Sequence, residues 1–157
     1  MRKTRVVTQS ALIAALYVGL TYVSSLFGIA SGVIQVRVSE ALTVLPAFTF
    51  SAVPGLTVGC LTANLLTGAA LWDVVFGSLA TLLGALGTHY LGKNKFAAPV
   101  FPIIANTAII PLVLKAVYGV SEGYGFLFLT IFLGELISCG ILGVVLYSGV
   151  KKSGIFK

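Results

Sequence analysis

Acid is what this chain has least of. Only four carboxylate side chains occur among 157 residues, Glu40, Asp73, Glu122 and Glu135, and charged residues of both signs make up 9%. Soluble domains carry ~25%. Histidine occurs once, at His89, and cysteine twice, at Cys60 and Cys139. That scarcity leaves no His–Ser or His–Cys set for an enzyme and no metal-ligand spacing along the chain. The two cysteines read as small buried fillers. His89, beside Lys93, reads as an interfacial residue. Repeats, low-complexity tracts and linkers are missing too, so residues 1–157 form one domain.

What the chain has in excess is apolar surface. The hydrophobic fraction is 58% and the mean hydropathy +1.08. A soluble domain of this size has no interior large enough to hide that much, so lipid must cover the remainder. Six apolar segments are expected as helices: Thr8–Phe27, Ser39–Val53, Gly55–Leu71, Asp73–Leu91, Ala97–Tyr118 and Tyr124–Val150. The hydrocarbon core needs roughly 20 helical residues, so the second and third are short. Pro54-Gly55 is expected to turn the chain between them. The first segment runs longer than the 7–15-residue apolar stretch of a signal peptide and reads as a transmembrane helix. The expected fold is an all-α integral membrane protein, a single bundle of six transmembrane helices.

A net charge of +6 raises the question of nucleic acid. Here, however, the basic residues sit in short clusters between apolar runs, a pattern that membrane topology explains better. With six crossings, Arg2, Lys3, Arg5, Lys93, Lys95, Lys151, Lys152 and Lys157 fall on one side, and only Arg37 and Lys115 on the other. The positive-inside rule then puts both termini in the cytoplasm, with Tyr22, Trp72, Tyr118 and Tyr124 at the outer interface and Tyr90 and Tyr147 at the inner one. The stretch Gly87–Asn94, GTHYLGKN, approaches a phosphate-binding loop but ends in Asn94 where a hydroxyl should hold Mg²⁺. It also closes a helix instead of joining a strand to one. It reads as a glycine stop with a basic flank.

The scarce polar residues fall together. Glu135 lies eleven residues beyond Tyr124, at ~16 Å depth, where a charge costs about 3 kcal/mol unless it faces the bundle interior. Asn106 lies at nearly the same depth in the fifth segment. With Arg37, Glu40, Asn64, Trp72 and Asp73 they outline a pocket in the outer half. Plainer roles exist for most of them. Arg37 and Glu40 can pair at i, i+3, and Asn64 and Asn106 can bond helices together. Asp73 can cap the fourth helix, and Trp72 can anchor at the interface. Glu122 reads as a solvated loop residue. On the first helix, Ala11, Ala15 and Gly19 lay small residues along one face, inviting close approach of another helix from a partner or from this bundle. Gly55/Gly59/Ala63 and Ala80/Gly84 read as internal packing ladders.

Several stretches carry a resemblance over about Thr8 to Val150. VIQVRVSEALTVLP (Val33–Pro46), TANLLTG, WDVVFGSLATLLGAL, and IIANTAIIP with LGELIS resemble the QueT family of queuosine-precursor transporters. That family is of the substrate-binding (S) component type in energy-coupling factor (ECF) transporters, to which the six helices and the AxxxA face also correspond. The resemblance implies a membrane binder of a 7-deazaguanine base, partnered by a transmembrane coupling protein and two ATPase subunits. ATP and Mg²⁺ would act on those partners, with no cofactor in this chain. It also implies the docking role of Ala11 and Ala15.

The chemistry of such a base suits the residues. A carboxylate accepts its N1–H and exocyclic amine together. An Asn meets O6, and Trp72 or Phe76 stacks on the ring. Three carboxylates, Glu40, Asp73 and Glu135, against one Arg37 favour a cation, hence 7-aminomethyl-7-deazaguanine over its neutral nitrile relative. Arg37 and Glu40 are then expected at the lip. Two other readings stand beside this one: an S component for another vitamin-like molecule, and a membrane enzyme or structural subunit.

Overall fold

The computed structural model describes residues 2–29 and 35–156. Val33 and Ile34, which open the VIQVRVSEALTVLP motif, and Lys157 lie outside the described residues. Every regular element among the described residues is helical. In order they are α1 (Arg2–Leu26), a 3-10 helix (Val38–Ala47), α2 (Ala52–Leu66), α3 (Leu71–Leu91), α4 (Val100–Tyr118), α5 (Tyr124–Glu135), a π-helical stretch (Leu136–Leu142) and α6 (Gly143–Ser153).

Four helical runs are long and apolar enough to cross a bilayer: Lys3–Leu26, Leu71–Leu91, Val100–Tyr118 and the continuous rod Tyr124–Ser153. The other two differ from the expected segments. Val38–Ala47 is a tight 3-10 helix of 10 residues, ~20 Å long at 2.0 Å per residue. Its residues Ser39 to Pro46 are all buried. This segment is a plug within the bundle and is too short to cross the ~30 Å core alone. The turn after it falls near Phe48–Ser51, not at Pro54-Gly55. Pro54 instead occupies the first turn of α2, where a missing N–H costs nothing.

The chain ends share one end of the bundle. Ser10 Oγ donates to Ser51 O at 2.8 Å, and Ser51 Oγ to Gln9 Oε1 at 3.0 Å. His89 Nδ1 donates to Pro46 O at 2.8 Å, and Thr88 Oγ1 to Ala98 O at 2.9 Å. Phe48 lies against both Tyr147 and Phe156, with ring centroids 4.6 and 6.4 Å apart. Tyr147 is therefore a core residue, only 7% exposed, and not an interfacial anchor. At the opposite end, Tyr118 accepts from Ala70 N at 3.1 Å, and Gly119 ends α4 at φ 60°, a left-handed turn that glycine adopts freely.

Small residues set the spacing between helices. A Cβ on Gly59 would lie 2.9 Å from Tyr17 Cβ, and one on Gly84 only 2.7 Å from Pro102 Cα. The two glycine ladders therefore pack α2 on α1 and α3 on α4, as their spacing predicts. Ala11, Ala15 and Gly19 do not join this packing; they lie on an exposed face of α1. Leu12, Leu16, Leu83, Ile104, Leu112 and Val145 are also left exposed, by 49% to 67%. An apolar exterior of this kind requires lipid as its solvent.

Candidate functional site

The 3-10 plug carries Glu40 to the centre of the bundle. The side chain is 3% exposed. Tyr17 of α1 donates its hydroxyl to Oε1, while Oε2 is buried with no hydrogen-bond partner among the described residues. Leaving a charged group so placed is expensive, which marks Oε2 as an acceptor awaiting a donor. The cavity beside it has a floor and walls from Glu40, Cys60, Gly77, Thr81, Asn106 and Glu135.

Glu135 reaches the same point from the end of α5. Asn106 Nδ2 donates to its Oε1 at 2.9 Å, and the Cys139 thiol to its Oε2 at 3.0 Å. Glu135 and Cys139 share one helical face at i, i+4, just where the rod loosens into its π-helical stretch. Such stretches concentrate at functional sites because they re-aim side chains. α4 is likewise interrupted beside the cavity. Pro111 offers no N–H to the carbonyl of Thr107, one residue beyond Asn106.

Acceptor atoms of Glu40, Glu135 and Cys139 lie within 4.8 Å of one another. Three such atoms could share one cation. No spacing in the sequence announces this cluster, because Glu40 arrives from a different element. If both carboxylates ionise, that separation costs about 3 kcal/mol or more at an effective dielectric of 20. Positive charge between them relieves it, whether from Arg37 or from a ligand.

Arg37 stands at the mouth of the cavity, between it and a larger vestibule. Its Nη1 donates to Asn64 Oδ1 at 3.3 Å, and Asn64 Nδ2 faces Asp73 O at 3.5 Å. The expected direct pairing of Arg37 with Glu40 gives way to these partners, because the 3-10 helix turns Glu40 inward to Tyr17. Arg37 is at the lip; Glu40 is on the floor. Gln35, Arg37 and Ile110 border both the inner cavity and an outer vestibule of about 640 Å³ that Asp73 also lines. The inner cavity itself measures about 30 Å³, room for about one water molecule. A two-ring ligand therefore requires its walls to move outward. One wall is the Gln35 segment, whose backbone carbonyl rests directly against Gly134 of α5.

Among the expected site residues, then, the cavity brings together Arg37, Glu40, Asn106 and Glu135, with Asn64 behind Arg37 and Asp73 in the vestibule. Asp73 sits in the first turn of α3, whose N-cap is Ala70, so it is not the cap. Trp72 and Phe76 lie elsewhere. They are 57% and 39% exposed, stack on each other with centroids 6.0 Å apart, and line an outward apolar groove with Leu79 and Leu83. The helical turn points them toward lipid, so neither faces the cavity. Sequence reasoning missed Tyr17, Gln35 and Cys139. Only Cys139 carried a signal, its i, i+4 spacing from Glu135; it is buried as expected but is hydrogen-bonded, not an apolar filler.

The family model described as QueT transporter matches residues 7–152. The chain belongs to the QueT transporter family. The queuosine precursor transporter QueT of Lactococcus lactis subsp. cremoris (strain MG1363) is 40% identical over 82 residues, which cover 52% of this chain and 47% of that protein. The chain thus spans about half the length of the curated relative it matches. No solved structure matches it. As a QueT-family chain with four long apolar helices, this is a multi-pass membrane protein of a transporter family.

Proposed function

We propose that this chain is the membrane-embedded substrate-binding (S) component of an ECF-type importer and that its ligand is a queuosine precursor, a 7-deazaguanine base in its 7-aminomethyl form. The observation that carries the reading is Glu40 Oε2, without a partner among the described residues, beside the Asn106–Glu135 pair. A deazaguanine edge supplies the two adjacent N–H donors that a carboxylate accepts best, and its O6 suits an amide donor. The aminomethyl ammonium suits two carboxylates facing one guanidinium, with Asp73 adding negative charge on the way in. Arg37, Glu40, Asn106 and Glu135 are the proposed ligand contacts. Asn64 positions Arg37, and Asp73 attracts the cation into the vestibule. Trp72 and Phe76 are left out of the contact set.

In this reading the chain has no enzymatic activity and holds no cofactor. A transmembrane coupling protein and two ATPase subunits, which carry ATP and Mg²⁺, drive transport, and they dock on the exposed Ala11–Ala15 face. The chain runs through the bundle six times, the 3-10 plug and α2 being too short to span the hydrocarbon core alone, and both termini are in the cytoplasm of a bacterial cell. The test is a binding titration of the purified chain with a panel of deazaguanines. Tightest binding of the aminomethyl base supports the reading, whereas binding of an unrelated vitamin and no deazaguanine overturns it.

A further inference from the structure

A second polar groove lies far from the cavity, at the end of the bundle that holds the chain termini. α6 forms one wall with Tyr147, Ser148, Lys151 and Lys152, and the loop after α3 forms the other with Asn94, Lys95 and Phe96. Its volume is about 570 Å³. We propose that this groove is a binding site for the headgroup of an anionic phospholipid.

Charge is the first argument. Lys3, Arg5, Lys93, Lys95, Lys151 and Lys152 belong to this end. None of the four carboxylate side chains does, for Glu40 and Glu135 face the central cavity while Asp73 and Glu122 belong to the opposite end. No acidic side chain therefore stands at this end to neutralise the lysines. Donor chemistry is the second. Asn94 Oδ1 accepts from the backbone N–H groups of Phe96 and Ala97, at 3.0 and 2.8 Å, which turns its Nδ2 donors away from the loop. The Tyr147 hydroxyl is directed to Lys93 O and that of Ser148 to Val144 O. The side chains left to meet a ligand are then an amide N–H group and three ammoniums, a set made for phosphate oxygens.

Polarity along the membrane normal selects a lipid over a free anion. Val145, Ser148 and Lys152 follow one another on a single face of α6, and Val145 is 67% exposed. Phe96, 68% exposed, stands at the groove with Lys95 Nζ 4.8 Å above its ring. An apolar approach ending in a cluster of cations matches a phospholipid whose chains lie along the helix and whose phosphate reaches the lysines.

The test uses the purified chain in nanodiscs of phosphatidylcholine containing a minor fraction of phosphatidylglycerol, with retained lipids counted by native mass spectrometry. The unaltered chain is expected to retain phosphatidylglycerol about tenfold over its bulk fraction. The triple variant Lys95→Gln, Lys151→Gln, Lys152→Gln is expected to lose that enrichment, and the corresponding triple Lys→Arg variant to keep it. Base binding by each variant reports that the bundle is folded. No enrichment in the unaltered chain, or equal enrichment in the Gln triple, overturns the proposal. So does displacement of the lipid by millimolar inorganic phosphate, which would make the groove a site for a soluble anion. Unchanged lipid retention with lost assembly onto partner subunits would make it a protein contact and overturn the proposal as well.

Discussion

Tyr17 and Glu40 meet in the middle of the bundle, the α1 hydroxyl donating to the carboxylate of the 3-10 plug. Tyr17 is 1% exposed, and its hydroxyl is the hydrogen-bond partner of Glu40 Oε1. Tyr17→Phe removes that donor and is expected to destabilise the protein by about 1.5–3 kcal/mol, the range for hydrogen bonds to charged groups. In a Glu40→Gln background the same change should cost much less, because no charge remains to be compensated. Denaturation midpoints of the four proteins in the cycle check this; equal losses in both backgrounds would refute the charged pairing.

Glu135→Gln probes the proposed ligand contact. The amide keeps the shape and puts an NH₂ donor where an acceptor oxygen stood. Facing a ligand donor, it should lose about 2–4 kcal/mol, or roughly 30- to 900-fold in affinity. If the ligand's ammonium is the partner, the neutral nitrile base should be affected much less than the aminomethyl base. Native affinity for both bases in a folded variant would leave Glu135 as a purely structural link to Asn106 and Cys139.

Ala15→Trp tests the exposed face of α1. That face is exposed among the described residues, so binding of the proposed base by the purified chain is expected to stay within about twofold. If the proposed coupling subunits dock there, uptake with them should collapse, since a large side chain blocks close helix approach. Binding lost together with uptake would show that the substitution disturbs the bundle itself.

Gly84→Ala addresses the α3–α4 contact. Its added methyl would lie 2.7 Å from Pro102 Cα, backbone that cannot rotate aside. Overpacking of this kind costs about 1–3 kcal/mol, to be read as a lowered midpoint in detergent denaturation. An unchanged midpoint would mean that the helices separate freely there.

Orientation can be read by labelling. With Cys60→Ala and Cys139→Ser, the latter keeping a donor for Glu135, a cysteine at Ser121 should react with an impermeant thiol reagent on intact cells. One at Asn94 should react only after permeabilisation. Labelling of Asn94 on intact cells would invert the assignment.

The sequence made the all-helical, lipid-covered character legible because hydropathy and helix length are local properties. Glu135 and Asn106 were legible as a facing pair because both could be measured in residues from a helix end. The 3-10 plug was not. Its run VSEALTVLPA is as apolar as a spanning helix, and its tight winding comes from burial against α1, α3 and the π-helical stretch. Glu40 consequently lies deeper than its neighbour Arg37 would imply. Trp72 and Phe76 misled for a related reason: residue type marked them as stacking platforms, while the face they occupy is fixed by how α3 packs on α4. Tyr17 gave no signal, because a tyrosine in an apolar helix acquires its role only when a distant carboxylate folds against it.

The contact between Gln35 and Gly134 separates two demands on the sequence. It joins main chain to main chain, and a Cβ on Gly134 would collide with the Gln35 carbonyl. The seam owes its fit to a glycine and a backbone, whereas the cavity beside it takes its polar lining from Glu40, Asn106 and Glu135. Shape and chemistry are therefore written in different residues. Exchanging the polar side chains alters what the cavity offers and leaves the seam its fit, while any side chain at position 134 prises the seam apart and leaves the polar set as it was.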